Sequence, residues 1–192
     1  MIEPSFRDEL LERFLRYSSF GTQSNLERAD SGLQPSTESQ MVFARLLVGE
    51  LHKGGIFDAA LDEHGYVLAR IPASPGLEDK PAFGLCAHMD TATDAPGDDV
   101  HPLVHEAWNG GPIALKDGFA IDPASDPDLA GCVGDTIITS DGTTLLGADD
   151  KAGVAGIVTA AFHLVRNPSL RHGPIELLFS PDEETGHGMD HV

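Results

Sequence analysis

Residues 136–180, TIITSDGTTLLGADDKAGVAGIVTAAFHLVRNPSLRHGPIELLFS, limit the fold more than any other part of this chain. TIIT and IELLFS are short apolar runs of strand character. Between them KAGVAGIVTAAFHLVRN is long enough for a helix, small enough in its side chains to lie close on a sheet, and stopped by Asn167 and Pro168. Strand, helix, strand is a crossover unit, and a crossover joins parallel strands. The expectation is an α/β fold with a partly parallel sheet and helices on its faces, in which ligands collect beyond the carboxyl ends of the strands.

Two further runs, YVLARI (66–71) and AFGLCA (82–87), read as strands of the same kind. Ahead of them the period is helical. Phe6, Leu10, Leu11, Phe14 and Leu15 form one stripe over residues 5–19, with Ser5 and Asp8 spaced as a capping pair. Thr37 and Gln40 offer the same spacing before MVFARLLVGELHK, which is amphipathic through Val42, Leu46, Leu47 and Leu51 and ends at Gly54 and Gly55. The long irregular piece from about 92 to 134 is the kind of loop that has a function or a partner of its own.

Charge narrows the partners. Thirty-one acidic against twelve basic side chains leave a formal charge of −19, which repels a phosphate backbone, so nucleic acid is excluded as a partner. At 192 residues the chain is one domain or part of a larger one. Cys86 and Cys132 are too few for a disulfide scaffold, and Cys86, inside an apolar run, is expected to be buried. The amino terminus mixes charges into its apolar residues, so neither a signal peptide nor a membrane span is expected, and the expected location is the cytoplasm.

The chemistry lies just beyond the strand ends. AFGLCA runs into His88, Met89 and Asp90; the residues after TIIT lead to Asp149 and Asp150; and IELLFS runs into PDEETGHG. Strand alternation points His88 and Asp90 one way and Met89 the other, so Asp90 is placed to orient the imidazole while its second nitrogen binds a metal. Glu183 and Glu184, being adjacent, face differently, which allows one to coordinate and the other to accept a proton from water. Histidine with carboxylates suits zinc, with manganese or cobalt as substitutes. Each group has a plainer reading alone: His88 as a hydrogen-bonded histidine, Asp149 and Asp150 as a helix start, the acidic triplet as a solvated loop. Their convergence at the ends of strands in one sheet favours a metal site. His187 and His191 are a weaker second candidate.

HMDT, GADDKAG and PDEE, in this order, resemble the motifs of the M20 family of dinuclear zinc exopeptidases. LLERFLRYSSFGTQS, QPSTESQ, WNGGPIAL and TSDGTTLLGADDKAG extend the resemblance to its tripeptidase branch over essentially the whole chain. The resemblance implies a three-layer, zinc-exopeptidase-like (phosphorylase/hydrolase-like) α/β fold, a mixed sheet with helices on both faces, incomplete in this chain. Residues 1–192 are expected to be the N-terminal part of the catalytic domain, without the lid or dimerisation domain and the rest of the sheet. It also implies His88, Asp149 and Glu184 as metal ligands, Asp149 bridging two zinc ions, Asp90 orienting His88, and Glu183 as general base in removing the first residue of a tripeptide. A dipeptidase or an N-acyl-amino-acid deacylase of the same family, or a non-catalytic module of the same shape, are the alternatives. A small peptide is the expected substrate, and self-association through an incomplete sheet is expected as well.

Overall fold

The computed structural model describes residues 4–192. Its elements in order are α1 (Pro4–Ser18), α2 (Leu26–Asp30), α3 (Glu38–Lys53), β1 (Ala60–Leu61), β2 (Val67–Ile71), β3 (Phe83–His88), β4 (Leu103–His105), β5 (Ile113–Ala114), β6 (Ala120–Ile121), α4 (Pro127–Ala130), β7 (Ile137–Thr139), α5 (Ala148–Arg166) and β8 (Ile175–Ser180). The main sheet runs β1-β2-β8-β3, antiparallel at its first two joints and parallel between β3 and β8. It is a mixed α/β sheet, as expected.

One expectation fails here. TIIT forms β7, but β7 pairs antiparallel with β4, Leu103 opposite Thr139, in a separate two-stranded sheet. The parallel neighbour of β8 is β3, so the crossover through α5 starts from β3. Apolar patterning specifies that a strand exists, not which strand it joins; the irregular stretch supplied β4 as a local partner and also holds the β5–β6 hairpin.

Alternation decides the core. Val67, Ala69 and Ile71 stand in rows with Phe179, Leu177 and Ile175, and β3 continues those rows with Ala87, Leu85 and Phe83. Most of this face is buried, under Phe43, Leu47 and Leu51 of α3 and Val154, Val158 and Phe162 of α5, with Phe14 and Tyr17 of α1 joining. Burying each of the larger side chains stabilises the fold by about 1.5–3 kcal/mol as an upper bound. The opposite face is open: Leu68, Arg70, Gly84, Cys86 and Glu176 are exposed. Helices on both faces were expected, but among the described residues the three long helices all serve one. Cys86, expected to be buried, is exposed for that reason. No described helix is long and apolar enough to cross a membrane.

Both capping expectations need correction. Ser5 lies inside α1, which begins at Pro4. Thr37 does occupy the position before α3, yet its side chain makes no cap bond; its hydroxyl donates to the Gln23 carbonyl at 2.9 Å. Val42 faces solvent, and the buried stripe of α3 is Phe43, Ala44, Leu47 and Leu51, with Gln40 buried at its start.

A polar knot ties the helices together. Glu50 of α3 accepts from Arg13 Nε, Arg16 Nη1 and Tyr17 Oη, each at 2.9 Å. Arg13 is buried and also donates to Thr159 of α5. Burial works to raise the Glu50 carboxyl, but the bonds from Arg16, Arg13 and Tyr17 outweigh it and hold the carboxyl below its ordinary 4.5.

Two measurements check this fold. A carboxyl depressed by folding stabilises the chain above its unfolded pKa, and that contribution is lost as pH falls through the folded value. Glu50→Gln should therefore cost about 2 kcal/mol at neutral pH, and the difference from wild type should shrink in acid, read from urea midpoints at both pH values. Among the described residues β3 also leaves one edge of the sheet unpaired with Phe83 63% exposed, so concentration-dependent association of residues 1–192 is expected in sedimentation velocity; a sharp monomer at all concentrations would contradict it.

Candidate metal centre

The parallel pairing of β3 and β8 sets His88 opposite Ser180, so both strands deliver their next residues to one end of the sheet. Met89 continues the alternation into the core, fully buried, and its amide donates to the Ser180 carbonyl at 2.8 Å. That leaves His88 and Asp90 on the other side. His88 Nδ1 lies 3.1 Å from the main-chain oxygen of Asp90 and 3.4 Å from its Oδ1, while Nε2 faces outward, 2.9 Å from Asp149 Oδ1 and 3.8 Å from Glu183 Oε2.

Asp149 is free to face the histidine because its neighbour takes the capping role. Asp149 and Asp150 both depart from helical geometry, and the Asp150 carboxylate accepts the Gly153 N–H at 2.9 Å, as a helix cap does. The helix proper therefore begins after Asp150, and Asp149 projects from the strand-like approach with its side chain largely exposed.

After β8 the chain makes a tight acidic turn. Asp182 is fully buried with φ of 53°, residues Glu183–Thr185 form one 3₁₀ turn, and Gly186 comes next at φ 81°. At Gly188 a Cβ would lie 2.9 Å from Glu183 Cα, so only glycine lets the chain pass that close. The Glu183 and Glu184 amides donate to Asp90 Oδ1 and Oδ2 at 3.0 and 3.1 Å. One buried carboxylate thus faces the imidazole and holds the turn.

One ligand atom each from His88, Asp149 and Glu184 lies within 4.8 Å of the others. The structure therefore brings these three predicted ligands together, with Asp90 behind them and Glu183 beside them. His187 and His191 stay apart: His187 bonds Asp190 at 2.7 Å and Asp30 at 3.1 Å, and His191 stacks on His64.

The cluster is short of positive charge. Burial lowers the His88 pKa, but the hydrogen bond and charge of Asp90, with Asp149 and Glu183, push it up to about 9. The Glu184 carboxyl is raised, first by burial and then by Asp149, Asp90 and Glu183, against the opposing pull of His88. A cation placed among these groups would relieve both. Behind the site, Lys151 is fully buried; burial draws its pKa down to about 7 against the Asp90 charge. Its Nζ donates to the carbonyls of Tyr17 and Phe20 at 3.2 and 3.0 Å, over the Phe43 ring.

Sequence reasoning missed Lys151, Asp182, Ser36 and Gln40 as supports of the site. For Asp182 a signal was present: consecutive side chains in a tight turn point in different directions, so one of three can turn inward. For the other three none was, because their partners lie far away in sequence.

Known proteins resemble this chain in sequence and in fold. Peptidase family M20/M25/M40 matches at residues 141–192. Peptidase T of Photobacterium profundum is 52% identical over 184 residues, 95% of this chain and 44% of the relative; that of Brevibacillus brevis is 48% identical over 186 residues, 96% of this chain and 44% of the relative. The chain spans a little under half the length of the curated relatives it matches. Among solved structures, a tripeptidase from Staphylococcus aureus superposes with a TM-score of 0.63 at 23% identity, covering 96% of this chain and 39% of that one. Aminopeptidase PepT from Bacillus cereus gives 0.60 at 23% identity, covering 97% and 39%. These two likenesses establish the shared fold. With its motifs in family order, a match to the M20 peptidase model at residues 141–192 and about half its aligned residues identical to peptidase T, the chain is similar to M20 peptidases along nearly its whole length.

Proposed function

We propose that residues 1–192 supply the metal-holding and proton-transferring groups of an aminopeptidase that removes the first residue of a tripeptide, as the N-terminal part of its catalytic domain. The observation that carries this reading is the convergence of His88, Asp149 and Glu184 at one end of the sheet, in a chain so similar to peptidase T. The donor set fits a divalent ion: His88 turns Nδ1 toward Asp90 and Nε2 toward Asp149, Asp150 caps the helix in place of Asp149, and several carboxylates crowd one imidazole.

On this reading His88, Asp149 and Glu184 would hold two zinc ions. Zinc bound there would polarise the scissile carbonyl and make a water easier to deprotonate. Glu183, its side chain 56% exposed and its backbone fixed by Asp90, accepts the proton of the attacking water and returns it to the leaving amine. Asp90 keeps the imidazole in the tautomer that presents Nε2. The two unpaired cysteines fit a reducing cytoplasm.

Shared over two ions, three ligands fall below the three protein ligands that an ordinary catalytic zinc has to itself. Residues 1–192 alone should bind zinc weakly, and calorimetric titration should show that binding abolished in His88→Ala; two tight sites in this chain would contradict the expectation. Activity is tested by joining residues 1–192 to the remaining length of the P. profundum relative and measuring release of the first residue from a tripeptide, a dipeptide and an N-acylated amino acid. Turnover of the tripeptide is expected, with Glu183→Gln reducing it by about 10²–10⁴-fold at unchanged metal content. Preference for the dipeptide or the acylated substrate would move the assignment within the family, and full turnover by Glu183→Gln would remove the general base.

A further inference from the structure

The Gln40 side chain, spaced to cap its own helix, crosses instead to the acidic turn. Gln40 Nε2 donates to Asp182 Oδ1 at 2.7 Å, and Gln40 Oε1 accepts the Asp182 N–H at 3.0 Å, a reciprocal clasp between residues 142 apart in sequence. The Ser36 N–H donates to Asp182 Oδ2 at 2.7 Å, and the Ser36 hydroxyl donates to Oδ1. Ser36, Gln40 and Asp182 are all fully buried. Asp182 sits at φ 53°, a region that costs a residue with a Cβ about 1–2 kcal/mol and that aspartate tolerates better than most. The clasp holds it there.

We infer that Asp182 and Gln40 are positioning residues: from behind the turn they fix where the Glu183 and Glu184 carboxylates stand. Neither belongs to the donor cluster. The turn is clamped twice, with Asp182 bound to the start of α3 and the next two amides bound to Asp90. Apart from the bonds within the turn, release of the first clamp leaves the Glu183 and Glu184 amides tied to the rest of the fold through Asp90. The geometry of the turn stands by itself; only its consequence for metal and turnover rests on the proposed peptidase reading.

The polarity of the clasp provides the test. Gln40→Glu sets a second carboxylate against Asp182, and Asp182→Asn sets an amide against the Gln40 amide. Combined, the two changes restore complementarity: the introduced amide donates to the introduced carboxylate and to the Ser36 hydroxyl, while its oxygen keeps the Ser36 N–H. In hydrogen exchange on residues 1–192, each single variant is expected to speed exchange of the Glu183 and Glu184 amides by about ten-fold or more, with the β8 amides unchanged and the double variant recovering protection. Should a single variant fail to fold, Gln40→Met, similar in volume and lacking both hydrogen bonds, asks the same question of the same amides. Unchanged exchange at 183 and 184, loss spread evenly through β8, or a double variant no better than the singles would each overturn the inference. The measurement needs neither metal nor peptide, so absence of turnover in the joined protein would sink the peptidase reading and leave this result standing.

Discussion

The Asp90 carboxylate is the constraint on which the site depends. It is fully buried, it accepts the amides of two consecutive glutamates, and it stands 3.4 Å from the imidazole nitrogen of His88. Those contacts require β3 and β8 to be adjacent, parallel and in one register. The core enforces that register, since Ala87 must stand beside Phe179 and Leu85 beside Leu177 on the face the helices cover. A slip of one residue would turn Met89 outward and His88 into the apolar layer, so the packing that stabilises the sheet also forbids a misplaced site.

Charge is the cost of this arrangement. Asp90, Asp149, Glu183 and Glu184 crowd around one imidazole in a chain that already carries −19. Like charges this close oppose folding, and the chain relieves them by holding a proton on His88, whose pKa rises to about 9. A divalent cation does the same with more charge in one place, which is why the proposed metal and the observed imbalance belong to one argument. Lys151 answers a different need. Its ammonium is spent on the carbonyls of Tyr17 and Phe20, at and just beyond the end of α1, and ties that helix to the start of α5 beneath Asp90.

Much of this was legible in the sequence, and the reasons are specific. Alternation along β3 placed His88 and Met89 on opposite faces. The order of motifs marked the resemblance to M20 peptidases. The failures share a cause: they concern partners far away in sequence. The strand at TIIT was real, but nothing in its pattern tells β4 from β8. Cys86 sits in an apolar run, yet whether its face is covered depends on where helices distant along the chain come to rest. Thr37 and Gln40 had the spacing of a capping pair, and that spacing is silent about an acceptor at residue 182 that takes the Gln40 side chain instead.

PDEE shows why residue type alone underdetermines role. Three consecutive carboxylates differ in sequence by a single methylene, yet the backbone sends them to three surroundings. Asp182, in the left-handed region, turns inward and meets Ser36 and Gln40; Glu184 turns toward His88 and Asp149; Glu183 is left facing solvent. The shorter side chain falls where the acceptor lies against a main-chain N–H and where αL backbone is required, both of which suit aspartate. The longer ones fall where reach into an open site is needed. The turn thus sorts one chemical group into an anchor, a prospective ligand and a prospective base by direction alone. It also makes the buried member of the three, the one most removed from any chemistry, the one that decides where the other two point.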